Sequence, residues 1–202
     1  IAERFVQAGH RVIGIDRQEK SILHPNYTHH TVDIRDKAHL PAIENIEILI
    51  NNAGISGRTD SGAQDPTTLD LGVLHTVLDT NVFGAVRVTN SMLPLLRRAA
   101  SPRIVNMSSN MGSLALQTGP ILAAYAPSKS MLNSITTQYA RAFSGSNIII
   151  NAACPGYVAT DFTGFNAPRT AEQGAAIALH LATLPDDGPR GGFFDDGGAV
   201  PW

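Results

Sequence analysis

Five short runs of β-branched and aliphatic residues, at 11–15, 28–32, 46–50, 103–107 and 147–152, recur along the chain with helix-like stretches between them. The runs lack the apolar–polar alternation of a strand with one wet face. They therefore predict strands covered on both sides, as in a parallel sheet flanked by helices. Helical patterning falls at 37–43, 69–99, 123–143 and 171–184, and Thr170-Ala171-Glu172-Gln173 has the spacing of a capping box that opens the last of these. Strand–helix order of this kind implies right-handed crossovers and an α/β, doubly wound sheet. Ligands of such a sheet sit beyond the carboxyl ends of its strands. With 202 residues, no internal repeat and no low-complexity linker, the chain reads as one domain.

Composition narrows the function classes. A net charge of −2 supplies no basic field for a phosphate backbone, so nucleic acid is not an expected partner. The single cysteine, Cys154, excludes an internal disulfide framework and fits a reducing cytoplasm. No apolar run approaches the roughly 20 residues that cross a bilayer, so no membrane partner is expected either. His29, His30 and the other histidines lack partners at metal-ligand spacing, and no metal site is expected. Asp186-Asp187 and Asp195-Asp196 sit among Gly and Pro and read as loop.

Chemistry concentrates where strands end. Tyr125 and Lys129 lie four residues apart on a predicted helix and share a face. A phenol titrates near pH 10, and an ammonium one turn away favours the phenolate, drawing that value toward neutrality. Tyr125 can then pass a proton to a carbonyl oxygen or take one from an alcohol. A hydroxyl at the end of run 103–107 can meet the same oxygen, with Ser109 the first choice and Ser108 the alternative. Asn51-Asn52-Ala53-Gly54 closes the third run, with small residues that admit a cofactor and amides that can tie strands together. Asn81 interrupts a long apolar helix, where its side chain competes with helix hydrogen bonding and can free backbone groups for a water near Lys129. Pro155-Gly156 forces a turn after the fifth run, from which Thr160 can reach a carboxamide. Asp16, at the end of the first run, can accept from ribose hydroxyls and favours NAD, whereas the adjacent Arg17 suits a 2′-phosphate.

In this order, Asn51-Asn52-Ala53-Gly54, Asn81, Ser109, Tyr125-x-x-x-Lys129 and Pro155-Gly156 resemble the short-chain dehydrogenase/reductase family over nearly the whole chain. The second half, from Cys154 through Thr170–Ala175 to Gly191-Gly192-Phe193-Phe194 and Trp202, is similar to its carbonyl reductases. The resemblance implies a Rossmann-type sheet and an oxidoreductase moving hydride between NAD(P) and a small-molecule carbonyl or alcohol. It implies a catalytic tetrad of Asn81, Ser109, Tyr125 and Lys129, with Lys129 also holding the nicotinamide ribose. Asp33-Ile34 matches the adenine contact, residues 51–54 the cofactor cleft, and Val158 and Thr160, after Pro155-Gly156, the nicotinamide end. An NAD(P)-binding sensor or scaffold without turnover is the alternative, and the matched Tyr, Lys and Ser argue against it. The short C-terminal region leaves little room for the sugar-nucleotide domain of an epimerase. The segment 162–168, with Leu114 and Leu116, suggests an apolar lid over a hydrophobic substrate, and the helix at 69–99 can supply a homo-oligomer interface.

One departure concerns the start. The chain opens Ile1-Ala2-Glu3-Arg4-Phe5, already helix-like, and contains no Thr-Gly-x-x-x-Gly-x-Gly turn. The family's first strand is therefore expected to be missing from the middle of the sheet, between the strands ending at Asp16 and Asn51. Unpaired backbone groups there cost about 1–3 kcal/mol each if buried, against a net stability of roughly 5–15 kcal/mol. These 202 residues alone are expected to melt at low temperature and bind cofactor weakly. A high, cofactor-responsive melting temperature would refute this.

Overall fold

The computed structural model describes residues 1–36, 40–58, 64–117 and 120–202. Five strands match the predicted runs to within a residue or two: β1 (Val12–Asp16), β2 (Tyr27–Thr31), β3 (Ile48–Asn51), β4 (Arg103–Met107) and β5 (Ile149–Ala153). Two more, β6 (Phe193–Asp195) and β7 (Gly198–Ala199), complete the described set. Pairing is parallel from β1 to β2 and from β3 through β6, and β7 returns antiparallel.

The strands fall into two sheets, β1-β2 and β3-β4-β5-β6-β7. Among the described residues no strand lies between β1 and β3, so the opening falls where the sequence places it. The rest of the sheet is doubly wound. Val105, Met107, Ile149 and Ala153 face α5 (Ala171–Ala182) and the short α1 (Ala2–Gln7), with Phe5, Ile177 and Leu181 filling that layer. Leu49, Ile104 and Ile150 face the opposite way, onto Val88, Met92, Leu96 and Phe143. Successive side chains of one strand thus enter different cores, which is why the runs show no polar alternation.

The long helix expected at 69–99 is three segments in series. α2 (Leu71–Leu78) starts on an Asp70 cap, whose side chain accepts from Gly72 N at 2.7 Å. A π-helical turn follows over Asp79–Gly84, and α3 (Ala85–Leu96) continues from it. The helix at 123–143 is α4 (Tyr125–Ala142), and the capping box of Thr170 and Gln173 opens α5 as expected. Of the helix expected at 37–43, residues 37–39 lie outside the described set and residues 40–43 carry no helix. Its apolar residues are used differently, with Leu40 and Ile43 packed as single side chains against the α3 layer.

Polar ties hold the sheet to its helices. Asn51 Nδ2 donates to Thr89 Oγ1 at 3.0 Å and to Asn106 Oδ1 at 2.8 Å, and Asn106 Nδ2 donates to Thr136 Oγ1 at 2.8 Å. One amide on β4 therefore joins β3 and α4. Asn106→Ala would strand a buried donor on one side and a buried acceptor on the other. Urea unfolding is expected to show a loss of about 2–3 kcal/mol.

Candidate active site

The carboxyl ends of β1, β3, β4 and β5 open on one cavity of about 2730 Å³. Small-molecule sites usually occupy about 300–1,000 Å³. The excess arises because the cleft merges with the space between the facing edges of β1 and β3, lined by Val12, Ile13, Ile48 and Ile50. Around it stand Asp16 and Arg17 after β1, Asp33 and Ile34 after β2, and Asn51, Asn52, Ala53 and Gly54 at the end of β3. Ser109 follows β4, Tyr125 and Lys129 come from α4, and Pro155, Gly156, Val158 and Thr160 follow β5. Asn81 alone of the expected residues lies behind the wall.

Asn81 is 1% exposed and sits in the π turn. Its Oδ1 accepts from Ile55 N at 2.8 Å, and its Nδ2 donates to Ile55 O at 2.9 Å and to Ser128 Oγ at 2.9 Å. The side chain thus clasps the strand end to α4. The expected disturbance of the helix is the π turn itself, a widened turn in which backbone bonding is re-registered.

Lys129 is buried, and its Nζ donates to Met107 O at 2.7 Å. Burial lowers its pKa to about 8 from the ordinary 10.5. A Cβ at position 54 would stand at ordinary contact distances, 3.4 Å from Asn81 Oδ1 and 3.5 Å from Lys129 Nζ, which places the Gly54 backbone directly against the amide and the amine. Gly112 serves the other side of the same residue, since a Cβ there would press to 2.8 Å on the Lys129 backbone.

Tyr125 is buried too, and burial pushes its phenol up to about 12, against a downward pull from the Ser109 hydroxyl and a further upward push from Cys154. This corrects the expectation that Lys129 draws the phenol toward neutrality. The amine lies 5.6 Å from the ring centroid and spends its short contact on Met107 O, so desolvation wins. Between the two serines, Ser109 is the one set against the phenol, while Ser108 Oγ is buried with no hydrogen-bond partner. Cys154 is the small buried residue expected, with Sγ accepting from Asn110 N at 3.1 Å.

At the far end of the cleft, Asp16 Oδ1 accepts from Gln18 N at 2.9 Å. Asp33 is held by Arg35, whose guanidinium keeps the carboxyl at about 2, with a smaller contribution from Arg17. Ile34 packs on the glycine at 84, where a Cβ would approach it to 2.6 Å. His29 departs from the solvated reading: it is part-buried, with Nδ1 3.0 Å from Tyr27 Oη and Nε2 2.9 Å from Gln18 O. Gly156 takes a positive φ of 74°, as an abrupt turn after β5 requires. The Phe162 ring lies 5.4 Å from that of Tyr125, and Phe165 and Leu116 also line the cavity, whereas the exposed Leu114 does not.

Gln64 was not singled out from the sequence. It is 3% exposed and bonds the first residues of α4, a role set by contacts some 60 positions away. Local pattern carries no signal for it.

A protein-family model described as short chain dehydrogenase matches residues 1–171. The (+)-neomenthol dehydrogenase of Capsicum annuum is 28% identical over 88% of this chain and 81% of its own length. Carbonyl reductase [NADPH] 1 of Homo sapiens is 28% identical over 86% of this chain and 79% of its own. An NADPH-bound carbonyl reductase from chicken fatty liver superposes with a TM-score of 0.73 at 25% identity, covering 89% of this chain and 79% of that one.

The buried amine makes folding pH-dependent in a defined sense. The folded amine releases its proton near pH 8 and the unfolded one near 10.5, so the unfolded chain holds more protons in between and stability rises with pH across that window. Above about pH 10 Tyr125 acts oppositely, its folded pKa lying near 12. Lys129→Met is expected to raise stability at pH 7 by on the order of 2–3 kcal/mol, net of the lost bond to Met107 O, and to flatten the rise from pH 8 to 10. Urea titrations at successive pH values measure both.

Proposed function

This chain belongs to the short-chain dehydrogenase/reductase family and is an NAD(P)-dependent oxidoreductase of carbonyl and alcohol groups; within that activity we propose that Tyr125 is the general acid/base, served by Ser109, Lys129 and Asn81. The observation that carries the assignment is the meeting of a buried phenol, a serine hydroxyl and a buried amine at the wall of one cleft. The residues present suit a dinucleotide: Lys129, Tyr125 and Ser109 line one end of the cleft, which runs from there to Asp16 and Asp33.

The nicotinamide, when bound, supplies or receives the hydride at the substrate carbon. Ser109 donates to the substrate oxygen and fixes it beside the phenol. Tyr125 gives that oxygen a proton in reduction and removes one in oxidation. Lys129, an ammonium with three donors of which one goes to Met107 O, offers the others to ribose hydroxyls. Asn81 holds Ile55 in place through both ends of its amide, and we assign it the support of a proton-relay water.

At the other end, Asp16 accepts from the adenosine ribose, Asp33 and Ile34 flank the adenine, and the acid makes NAD the preferred cofactor over NADP despite Arg17. Asn51 to Gly54 line the middle of the cleft, and Pro155, Gly156, Val158 and Thr160 hold the carboxamide end. Phe162, Phe165 and Leu116 give the substrate side an apolar surface, which suits a hydrophobic carbonyl compound. We place the 202 residues in one dinucleotide-binding domain acting in the cytoplasm, with the α2–α3 helix as a surface for self-association. Among the described residues no helix is long and apolar enough to cross a membrane.

Tyr125→Phe is the test. Oxidation of NADH, followed at about 340 nm, is expected to fall by about 10²–10⁴-fold with dinucleotide affinity and melting temperature unchanged. Retained turnover removes Tyr125 from the mechanism.

A further inference from the structure

The helix that carries the phenol has no cap of its own. α4 begins at Tyr125, and its N-cap position is Ala124, which has no side-chain acceptor. Of the first amides, Ala126 N reaches Leu122 O at 2.9 Å, and Pro127 has no N–H to satisfy. Ala124 N and Tyr125 N remain, and both end on the side chain of Gln64: Oε1 accepts from Ala124 N at 3.0 Å and from Tyr125 N at 3.3 Å. The other end of the same amide, Nε2, donates to Ser56 O at 2.6 Å. Ala123 N adds a bond to Gln64 O at 3.0 Å.

Ser56 stands next to Ile55, whose N–H and C=O are both bonded by Asn81. The stretch leading out of β3 past Gly54 is therefore gripped by two amide side chains. Asn81 attaches it to the π turn and to Ser128; Gln64 attaches it to the first turn of α4. We infer that Gln64 is a positioning residue that locks the start of the Tyr125 helix to the cofactor-side loop, so that phenol and dinucleotide cleft hold one fixed relation. This rests on the reading of Tyr125 as the proton carrier. It adds a residue outside the tetrad, with a distinct task for each end of its amide.

The two ends are separable by substitution. Leucine offers neither acceptor nor donor. Glutamate keeps the acceptor for the two amides at every pH, but donates to Ser56 O only while its carboxyl is protonated. With NADH and acetophenone as probes, Gln64→Leu is expected to lower kcat by about 10–100-fold, the scale of a small misplacement of a reacting group. Gln64→Glu is expected to recover most of that kcat, while its KM for NADH climbs with pH relative to the unsubstituted enzyme. Backbone amide exchange at Ala124 and Tyr125 is expected to accelerate in the leucine variant and stay slow in the glutamate variant.

A folded Gln64→Leu enzyme with kcat within about twofold of normal overturns the proposal. So does a Gln64→Glu enzyme whose NADH KM follows the normal pH profile, a result that decides the matter even if the leucine variant does not fold. Should the unsubstituted protein fail to reduce acetophenone, the reading of the substrate fails, and amide exchange at Ala124 and Tyr125 still decides the role of Gln64.

Discussion

An ammonium group buried beside a protein carbonyl sets the terms of this site. Lys129 has no carboxylate among its hydrogen-bond partners in the described residues, and Met107 O alone accepts from it. Such a charge is costly, and the fold offsets that cost with one short bond to a backbone carbonyl. Gly112 is small because the lysine needs the space, and Asn81 is buried because it closes the wall behind it. A residue that costs stability while facing a cleft is the signature of a group kept for binding or chemistry.

The rest of the architecture brings polar ends to that amine. Each strand of a doubly wound sheet buries both faces, leaving its carboxyl end as the place where side chains can leave the core. Asn51, Ser109 and Pro155-Gly156 are the residues at or just after three such ends, and α4 delivers Tyr125 and Lys129 across them. The asparagines and Gln64 then do with amides what packing cannot: they fix direction as well as distance. Asn81, Asn106 and Gln64 each use both donor and acceptor, so a half turn of any of these three would leave buried groups unpaired.

Much of this was legible in the sequence, for physical reasons. Strand runs buried on both faces are unbroken and easily seen, and a tyrosine and lysine at helical spacing must share a face. The phenol's acidity was not legible, because it depends on whether burial or a nearby charge dominates, and spacing along a helix fixes neither. β6 and β7 were missed as strands since Phe193–Asp195 and Gly198–Ala199 are too short to show a period. Residues 40–43 show the reverse: Leu40 and Ile43 pack one at a time onto the α3 layer without forming a helix. Gln64 illustrates the general limit, for its task is defined wholly by residues distant in the chain.

The π-helical turn at Asp79–Gly84 has a consequence for how the chain can change over time. A widened turn accommodates one residue more than an α-helix would, and each residue of a helix rotates the next by about 100°. Winding the same residues as a regular α-helix would instead turn α3 by about that angle, carrying Val88, Met92 and Leu96 off the sheet. The turn acts as a phase-setter between two otherwise ordinary helices, taking up one residue of chain and handing α3 on in the orientation that the sheet requires.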